Sequence, residues 1–157
     1  MTEIIATLTP SAPRRIMATA ALAGVGLLLL WVGLVRPPEA VGWQLYLLLL
    51  GTGALWAALL LWQATARHLV LTGAGIFDSD GQCLAPIDSI EAVERGVFAF
   101  KPSNGFTVLL KQPAPRGWAP GLWWRMGRRL GIGGVTPAAQ GKYMAEMLAM
   151  AVKTPDV

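Results

Sequence analysis

Two long stretches without a charged side chain dominate the N-terminal half of the sequence. The first covers residues 16–35, the second covers residues 41–62, and Arg-Pro-Pro-Glu at 36–39 separates them. An α-helix rises about 1.5 Å per residue, so either stretch is long enough to cross a hydrocarbon core of about 30 Å. Because the two prolines cannot continue a helix, the sequence predicts two transmembrane helices joined by a short loop.

The remainder of the sequence has a different character. Charged residues make up 14% of the chain, against about 25% in soluble domains. Residues 16–66 contribute only two of them. We therefore divide the chain into a loosely ordered cytoplasmic tail over residues 1–15, a transmembrane hairpin over residues 16–66 and a small water-soluble domain over residues 67–157.

The first apolar stretch has an alternative interpretation as a cleaved signal peptide. Its length exceeds the roughly 7–15 apolar residues of such a peptide, and no small-x-small cleavage site follows it. We therefore favour a helix that is retained.

Basic residues next to the helices predict their orientation. Arg14 and Arg15 precede the first helix, whereas the connecting loop carries Arg36 together with Glu39. Cytoplasmic flanks are richer in Lys and Arg than flanks on the opposite side of a membrane. This pattern favours a hairpin with both chain termini in the cytoplasm.

Small residues within the hairpin suggest where helices pack. Ala20 and Gly24 are four residues apart in the first helix, as are Gly53 and Ala57 in the second. Small residues at this spacing let two helices approach closely. The alternative is that glycine and alanine are simply common in membrane helices.

Residues 67–135 alternate between short β-type runs and turns. An Asp-Gly pair at 80–81 and Pro-Ser-Asn-Gly at 102–105 predict tight turns. The predicted strands cover residues 68–72, 76–77, 83–85, 90–100 and 106–111, with one or two more in residues 121–135. A helix is the alternative over residues 90–97, and the prolines of residues 113–120 predict a loop.

A final amphipathic helix is predicted over about residues 137–152. Thr136 suits the N-cap position, and Pro137 suits the first helical position. Met144 and Leu148 belong to one apolar face of this helix. The soluble part is therefore expected to be a small α+β or β-sandwich domain, in which antiparallel strands are capped by one C-terminal helix.

This layout resembles a known family of bacterial proteins. Two membrane helices precede Leu-Val-Leu-Thr at 69–72 and Ile-Asp-Ser-Ile at 87–90, and further strands and a final helix follow. The pattern, over about residues 68–152, is similar to bacterial pleckstrin-homology-like (PH-like) domains that follow a membrane hairpin. The resemblance implies a bent β-sandwich capped by one helix, a place in the bacterial cytoplasmic (inner) membrane, and a role in binding or scaffolding. It carries over no functional residue.

An arginine- and tryptophan-rich segment, residues 116–129, is the strongest candidate binding site. It has no acidic residue. Tryptophan prefers the headgroup region of a membrane, and each basic residue near an anionic leaflet contributes about 1 kcal/mol. We therefore expect contact with the inner leaflet or with a partner membrane protein through Arg116, Trp118, Trp123, Trp124, Arg125, Arg128 and Arg129.

The alternative is that the tryptophans belong to the core and the arginines to a solvated face. Neighbouring residues of a strand point to opposite faces, so Trp123 and Trp124 cannot both point inward.

A glycine-rich turn before the final helix is a candidate anion site. Gly133, Gly134 and Thr136 lie where backbone N–H groups at a helix N-terminus can hold a phosphate. The spacing does not match a P-loop, and a plain structural turn is the alternative.

The sequence carries no catalytic or metal-binding motif, and its only histidine and cysteine are His68 and Cys83. We therefore expect no cofactor and a non-enzymatic membrane protein, such as an accessory subunit or assembly factor of a larger membrane complex. Its partners would be membrane lipids and another integral membrane protein. The alternatives are a regulator that binds an anionic lipid or a phosphate ligand, and an enzyme at the membrane surface. The anchor and the net charge of +4 disfavour nucleic acid.

Overall fold

The computed structural model describes residues 3–95 and 102–153. The chain divides into two compact units. One unit is the helical segment Ala12–Gln63, and the other combines Met1–Ser11 with Ala64–Val157. The sheet-forming unit is therefore interrupted in sequence by the helical unit.

The helical unit contains two long apolar helices, α1 (Ala12–Val35) and α2 (Val41–Ala64). Both are long and apolar enough to cross a membrane. Two long apolar helices are confirmed at the predicted places, although α2 extends to Ala64 and α1 begins earlier than residue 16. Its early start is compatible with Pro13, because the first turn of a helix tolerates a residue without a backbone N–H group.

The two helices pack through glycines that the sequence did not single out. A Cβ atom added to Gly26 would lie 3.0 Å from the carbonyl oxygen of Gly51, and the reverse distance is also 3.0 Å. By contrast, a Cβ at Gly24 or Gly53 would meet nothing within 4 Å. Positions two apart on a helix lie about 200° apart around its axis, so these two glycines face away from the contact.

The predicted packing pairs are therefore wrong for the contact between α1 and α2. Ala20 is exposed like Gly24, and Ala57 is half-buried. A third close approach involves Gly33, where an added Cβ would lie 3.0 Å from a methyl carbon of Leu48.

The sheet unit begins with a strand inside the segment that was predicted to be a loosely ordered tail. Residues Ile4–Leu8 form β1, which pairs antiparallel with β2 (Leu69–Thr72) in the register Leu8 opposite Leu69. The predicted loosely ordered tail over residues 1–15 is therefore wrong at these positions. Leu8 is 0% exposed, because alternate residues of the strand point into the core.

The first sheet contains four strands in the order β1-β2-β3-β4, all antiparallel. Strand β3 covers Gly75–Asp78 and β4 covers Cys83–Pro86. The turn between them is closed by the N–H of Gly81, which donates to the carbonyl of Asp78 at 2.8 Å. This confirms the turn predicted from the Asp-Gly pair.

The second sheet contains five antiparallel strands in the order β5-β6-β9-β8-β7. They are β5 (Ile90–Glu94), β6 (Phe106–Leu110), β7 (Gly117–Ala119), β8 (Trp123–Met126) and β9 (Arg129–Ile132). The strands predicted at β5, β6, β8 and β9 are confirmed, except that β5 ends at Glu94. Its predicted continuation over residues 98–100 lies outside the described residues. Strand β7 was not predicted, because residues 113–120 were expected to form a loop.

Helix α3 (Ala138–Lys153) closes the unit. Its buried face includes Met144 and Leu148, both 0% exposed, which join core residues of both sheets. Helix α3 also contacts the N-terminal segment, because the N–H of Thr9 donates to Oε1 of Gln140 at 3.0 Å. The sheet domain with one C-terminal helix is thus observed, and it includes residues from before the hairpin.

Candidate binding surface on the second sheet

The arginine- and tryptophan-rich segment forms the outer edge of the second sheet. Strands β7, β8 and β9 follow one another with short turns, and β7 is the edge strand. The turns place Gly121 at φ 76° and Gly127 at φ 59°. These left-handed backbone conformations favour glycine, so the two glycines allow the segment to fold back on itself twice.

Strand pairing sorts the three tryptophans onto two faces. Trp118 lies opposite Trp124 between β7 and β8, so these two share one face of the sheet. Trp123 points to the other face, where it is 4% exposed and part of the core, whereas Trp118 is 68% exposed. The predicted opposition of Trp123 and Trp124 is confirmed, and Trp123 is unavailable to an external ligand.

Trp124 lies flat against the sheet because its neighbour has no side chain. A Cβ at Gly131, its partner on β9, would overlap the indole ring. Trp124 is consequently half-buried, and its ring extends the apolar surface that Trp118 begins.

A groove of about 660 Å³ lies along this face, and we call it the Arg–Trp groove. It is lined by Arg116, Gly117, Trp118, Trp124, Arg125 and Met126. Of the predicted binding residues, the structure brings together Arg116, Trp118, Trp124 and Arg125. Sequence reasoning missed Met126, which is 58% exposed. The sequence signal for Met126 is its position two residues after Trp124, which places both side chains on the same face of β8.

Two of the four predicted arginines are used inside the protein. Arg125 donates from Nη1 to the carbonyl of Leu84 and from Nε to the carbonyl of Pro115, both at 2.7 Å. The first bond ties β8 to β4 of the other sheet. Arg128 donates from Nε to the carbonyl of Leu110 at 2.9 Å and forms an ion pair with Glu91.

The other two arginines are differently placed. Arg116 and Arg129 are exposed, and their side chains form no hydrogen bond or ion pair with any residue in the described part of the chain. Arg116 lines the groove, and Arg129 pairs with Met126 across β8 and β9. Their guanidinium groups are therefore available to an anion from outside the molecule.

Charge is distributed unevenly along the sheet unit. Residues 95–145 contain no acidic residue and eight basic ones. The basic residues are Arg95, Lys101, Lys111, Arg116, Arg125, Arg128, Arg129 and Lys142. Strands β6 to β9 all belong to this segment, so the sequence that builds the Arg–Trp groove has a net positive charge.

The candidate anion site before α3 has its donors occupied. The N–H of Gly133 donates to the carbonyl of Leu122 at 2.9 Å, and that of Gly134 donates to Ser103 at 2.8 Å. Thr136 is 0% exposed. These groups hold the turn against its neighbours, so the geometry gives no support for phosphate binding there.

Cys83 is exposed on β4. Desolvation raises the pKa of its thiol, and the positive charge of Arg125 opposes this effect. Among the described residues, no group of three or more His, Cys, Asp and Glu side chains is placed to hold a metal ion.

Comparison with known proteins gives no significant match to a protein-family model, to a curated protein or to a solved structure.

Proposed function

We propose that the protein is a non-enzymatic, membrane-anchored binding protein that serves as an accessory subunit or assembly factor of a larger membrane complex. The observation that carries this proposal is the Arg–Trp groove, in which Trp118 is 68% exposed beside Trp124. Large exposed aromatic residues in one patch are typical of interaction surfaces, because a monomer gains nothing by leaving them in water.

The proposed topology is a multi-pass protein with both termini in the cytoplasm, in a bacterial inner membrane. Strands β1 and β2 are hydrogen-bonded neighbours, and the whole hairpin lies between them in sequence. This pairing supports an even number of membrane crossings. Arg14 and Arg15 before α1 favour the cytoplasmic side for the sheet unit.

The proposed relationship to PH-like domains rests on β2–β9 and α3, which form two antiparallel sheets followed by one C-terminal helix. Strand β1 is an addition to the pattern that suggested the resemblance. It is separated from β2 by the hairpin, and a fragment beginning at residue 67 would lack it.

Site-specific photo-crosslinking of the full-length protein in its native membrane tests the binding role. A photoreactive p-benzoyl-phenylalanine in place of Trp118 is expected to give an adduct with a lipid or an integral membrane protein. The matched control is the same probe at Tyr143, which is 50% exposed on α3. Equal adduct yields at the two positions, or none at 118, would contradict the proposal.

Purification in a mild detergent tests the accessory role. We expect the full-length protein to co-purify with another integral membrane protein in a fixed ratio, detected by mass spectrometry. Recovery of a lone monomer from native membranes would rule out a stable complex.

A further inference from the structure

We propose that the Arg–Trp groove binds the anionic phospholipid surface of the membrane, with Arg116 and Arg129 contacting headgroup phosphates and Trp118 and Met126 entering the boundary between headgroups and acyl chains. This inference rests on the proposed binding role of the groove and names its ligand class. The proposal also distinguishes two arginines that contact the ligand from two that form bonds within the protein.

The division among the arginines is the first step. Arg125 and Arg128 direct donors to backbone carbonyls within the sheet unit, and Arg128 also pairs with Glu91. Arg116 and Arg129 have no such partner among the described residues. A guanidinium group presents several donors in one plane and binds phosphate oxygens in pairs, so the unpaired arginines suit a phosphate ligand.

The apolar part of the groove is the second step. Trp118 and Met126 are 68% and 58% exposed and flank Trp124 on one face of the sheet. Indole rings are amphipathic and concentrate at the interface between lipid and water. An apolar floor bordered by free cations therefore matches the change from acyl chain to phosphate across a leaflet surface.

The edge strand of the second sheet is poorly suited to pair with an added peptide strand, which favours a membrane surface as the ligand. Strand β7 has only three residues, Gly117–Ala119, between Pro115 and Pro120. The carbonyl of Pro115 already accepts a hydrogen bond from Arg125. Proline and short length are features that block strand addition at a sheet edge, so few backbone groups remain for a peptide.

Charge complementarity favours an anionic leaflet over a zwitterionic one. Residues 95–145 contain no acidic residue, so no carboxylate from this segment repels a headgroup phosphate. The hairpin keeps the sheet unit at a membrane surface, which makes the leaflet a ligand of high local concentration. Each arginine near such a leaflet strengthens binding by about fivefold.

The test uses the full-length protein in nanodiscs, with p-benzoyl-phenylalanine in place of Trp118. The lipid is phosphatidylcholine, with or without phosphatidylglycerol, and the yield of lipid adduct is measured by mass spectrometry. We expect a higher yield with phosphatidylglycerol. In that membrane, R116Q and R129Q should each lower the yield by about fivefold while the bound fraction is low.

The matched control is R128Q, which removes an arginine that is already paired with Glu91. It should leave the adduct yield close to that of the parent protein. Equal yields in the two membranes, or equal losses for R128Q and R129Q, would overturn the lipid assignment. The lipid assignment would also be overturned if the probe at position 118 captured only a protein in native membranes. In that case the proposed binding role would still stand.

Discussion

Arg15 lies over the indole ring of Trp62, with its guanidinium carbon 3.7 Å from the ring centroid. Nη2 of the same arginine donates to the carbonyl of Trp62 at 2.8 Å. Arg15 belongs to the first turns of α1 and Trp62 to the last turn of α2. One side chain therefore joins the two ends of the hairpin, which are far apart in sequence.

Changing Arg15 to lysine should loosen the hairpin although the positive charge remains. Lysine has no planar group that could stack on an indole as the guanidinium of arginine does, and a cation–π contact contributes about 0.5–2 kcal/mol. Unfolding of the protein by SDS titration in mixed micelles measures the loss. As a control, Arg36→Lys should have a smaller effect, since Arg36 lies 5.6 Å from the ring of Trp31. Equal losses would contradict this role.

Truncation of Leu8 should destabilise the sheet unit. Leu8 is 0% exposed in β1 and belongs to the core. Leu8→Ala is expected to lower the free energy of unfolding by about 2–5 kcal/mol. Ile4→Ala, in the same strand, should change it by less than about 0.5 kcal/mol, because Ile4 is 61% exposed. Limited proteolysis of the full-length protein during denaturant titration distinguishes the two outcomes, and similar stabilities would argue against β1.

Adding one methyl group should distinguish the two kinds of glycine in α1. Gly26→Ala places a Cβ 2.9 Å from Cγ of Leu55 and 3.0 Å from the carbonyl of Gly51. Separating the helices to accommodate it should cost about 1–3 kcal/mol. Gly24→Ala meets nothing within 4 Å and should be neutral or slightly stabilising. Thermal unfolding in detergent provides the comparison, and a larger loss for Gly24→Ala would reverse the assigned contact face.

Truncation of two tryptophans five positions apart should affect the stability of the protein differently. Trp123→Ala removes a core side chain that is 4% exposed and should cost about 3–5 kcal/mol. Trp118→Ala should change the free energy of unfolding by less than about 0.5 kcal/mol, yet reduce contact with lipid. If denaturant titration gave the two variants similar stabilities, the register between β7 and β8 would be wrong.

Cys83 provides a test of orientation because it is the only cysteine in the sequence and is exposed. A membrane-impermeant maleimide should label it in permeabilised cells and not in intact cells. Partial desolvation raises the pKa of the thiol, so less thiolate is present at neutral pH and labelling should accelerate as the pH rises. In a Cys83→Ser background, Ala40→Cys in the connecting loop should label in intact cells. The reverse pattern would place the sheet unit outside.

Much of the fold is predictable because its signals are local. The absence of charge in residues 16–35 and 41–62, and the Asp-Gly turn at 80–81, act within a few residues of where they are read. Strand β1 was missed for the opposite reason. Leu69, which pairs with Leu8, is separated from it in sequence by the entire hairpin, and a run of only five residues carries little signal of its own.

The candidate site, like the fold, could be predicted only in part from the sequence. Composition alone identified residues 116–129 as unusual. It could not separate Arg125 and Arg128, whose donors reach carbonyls on other strands, from Arg116 and Arg129. Nor could composition show that the missing side chain at Gly131 leaves room for the indole ring of Trp124.

The sequence by itself determined which segments are apolar enough for lipid, where the chain turns, and where arginine and tryptophan accumulate, because these properties follow from side-chain chemistry and short-range backbone preferences. Only the tertiary structure decided which strand completes the first sheet, which glycines let the helices meet, and which arginines remain free. Those outcomes depend on register and on contacts between residues distant in sequence, and a shift of one residue in a strand exchanges the buried face for the exposed one.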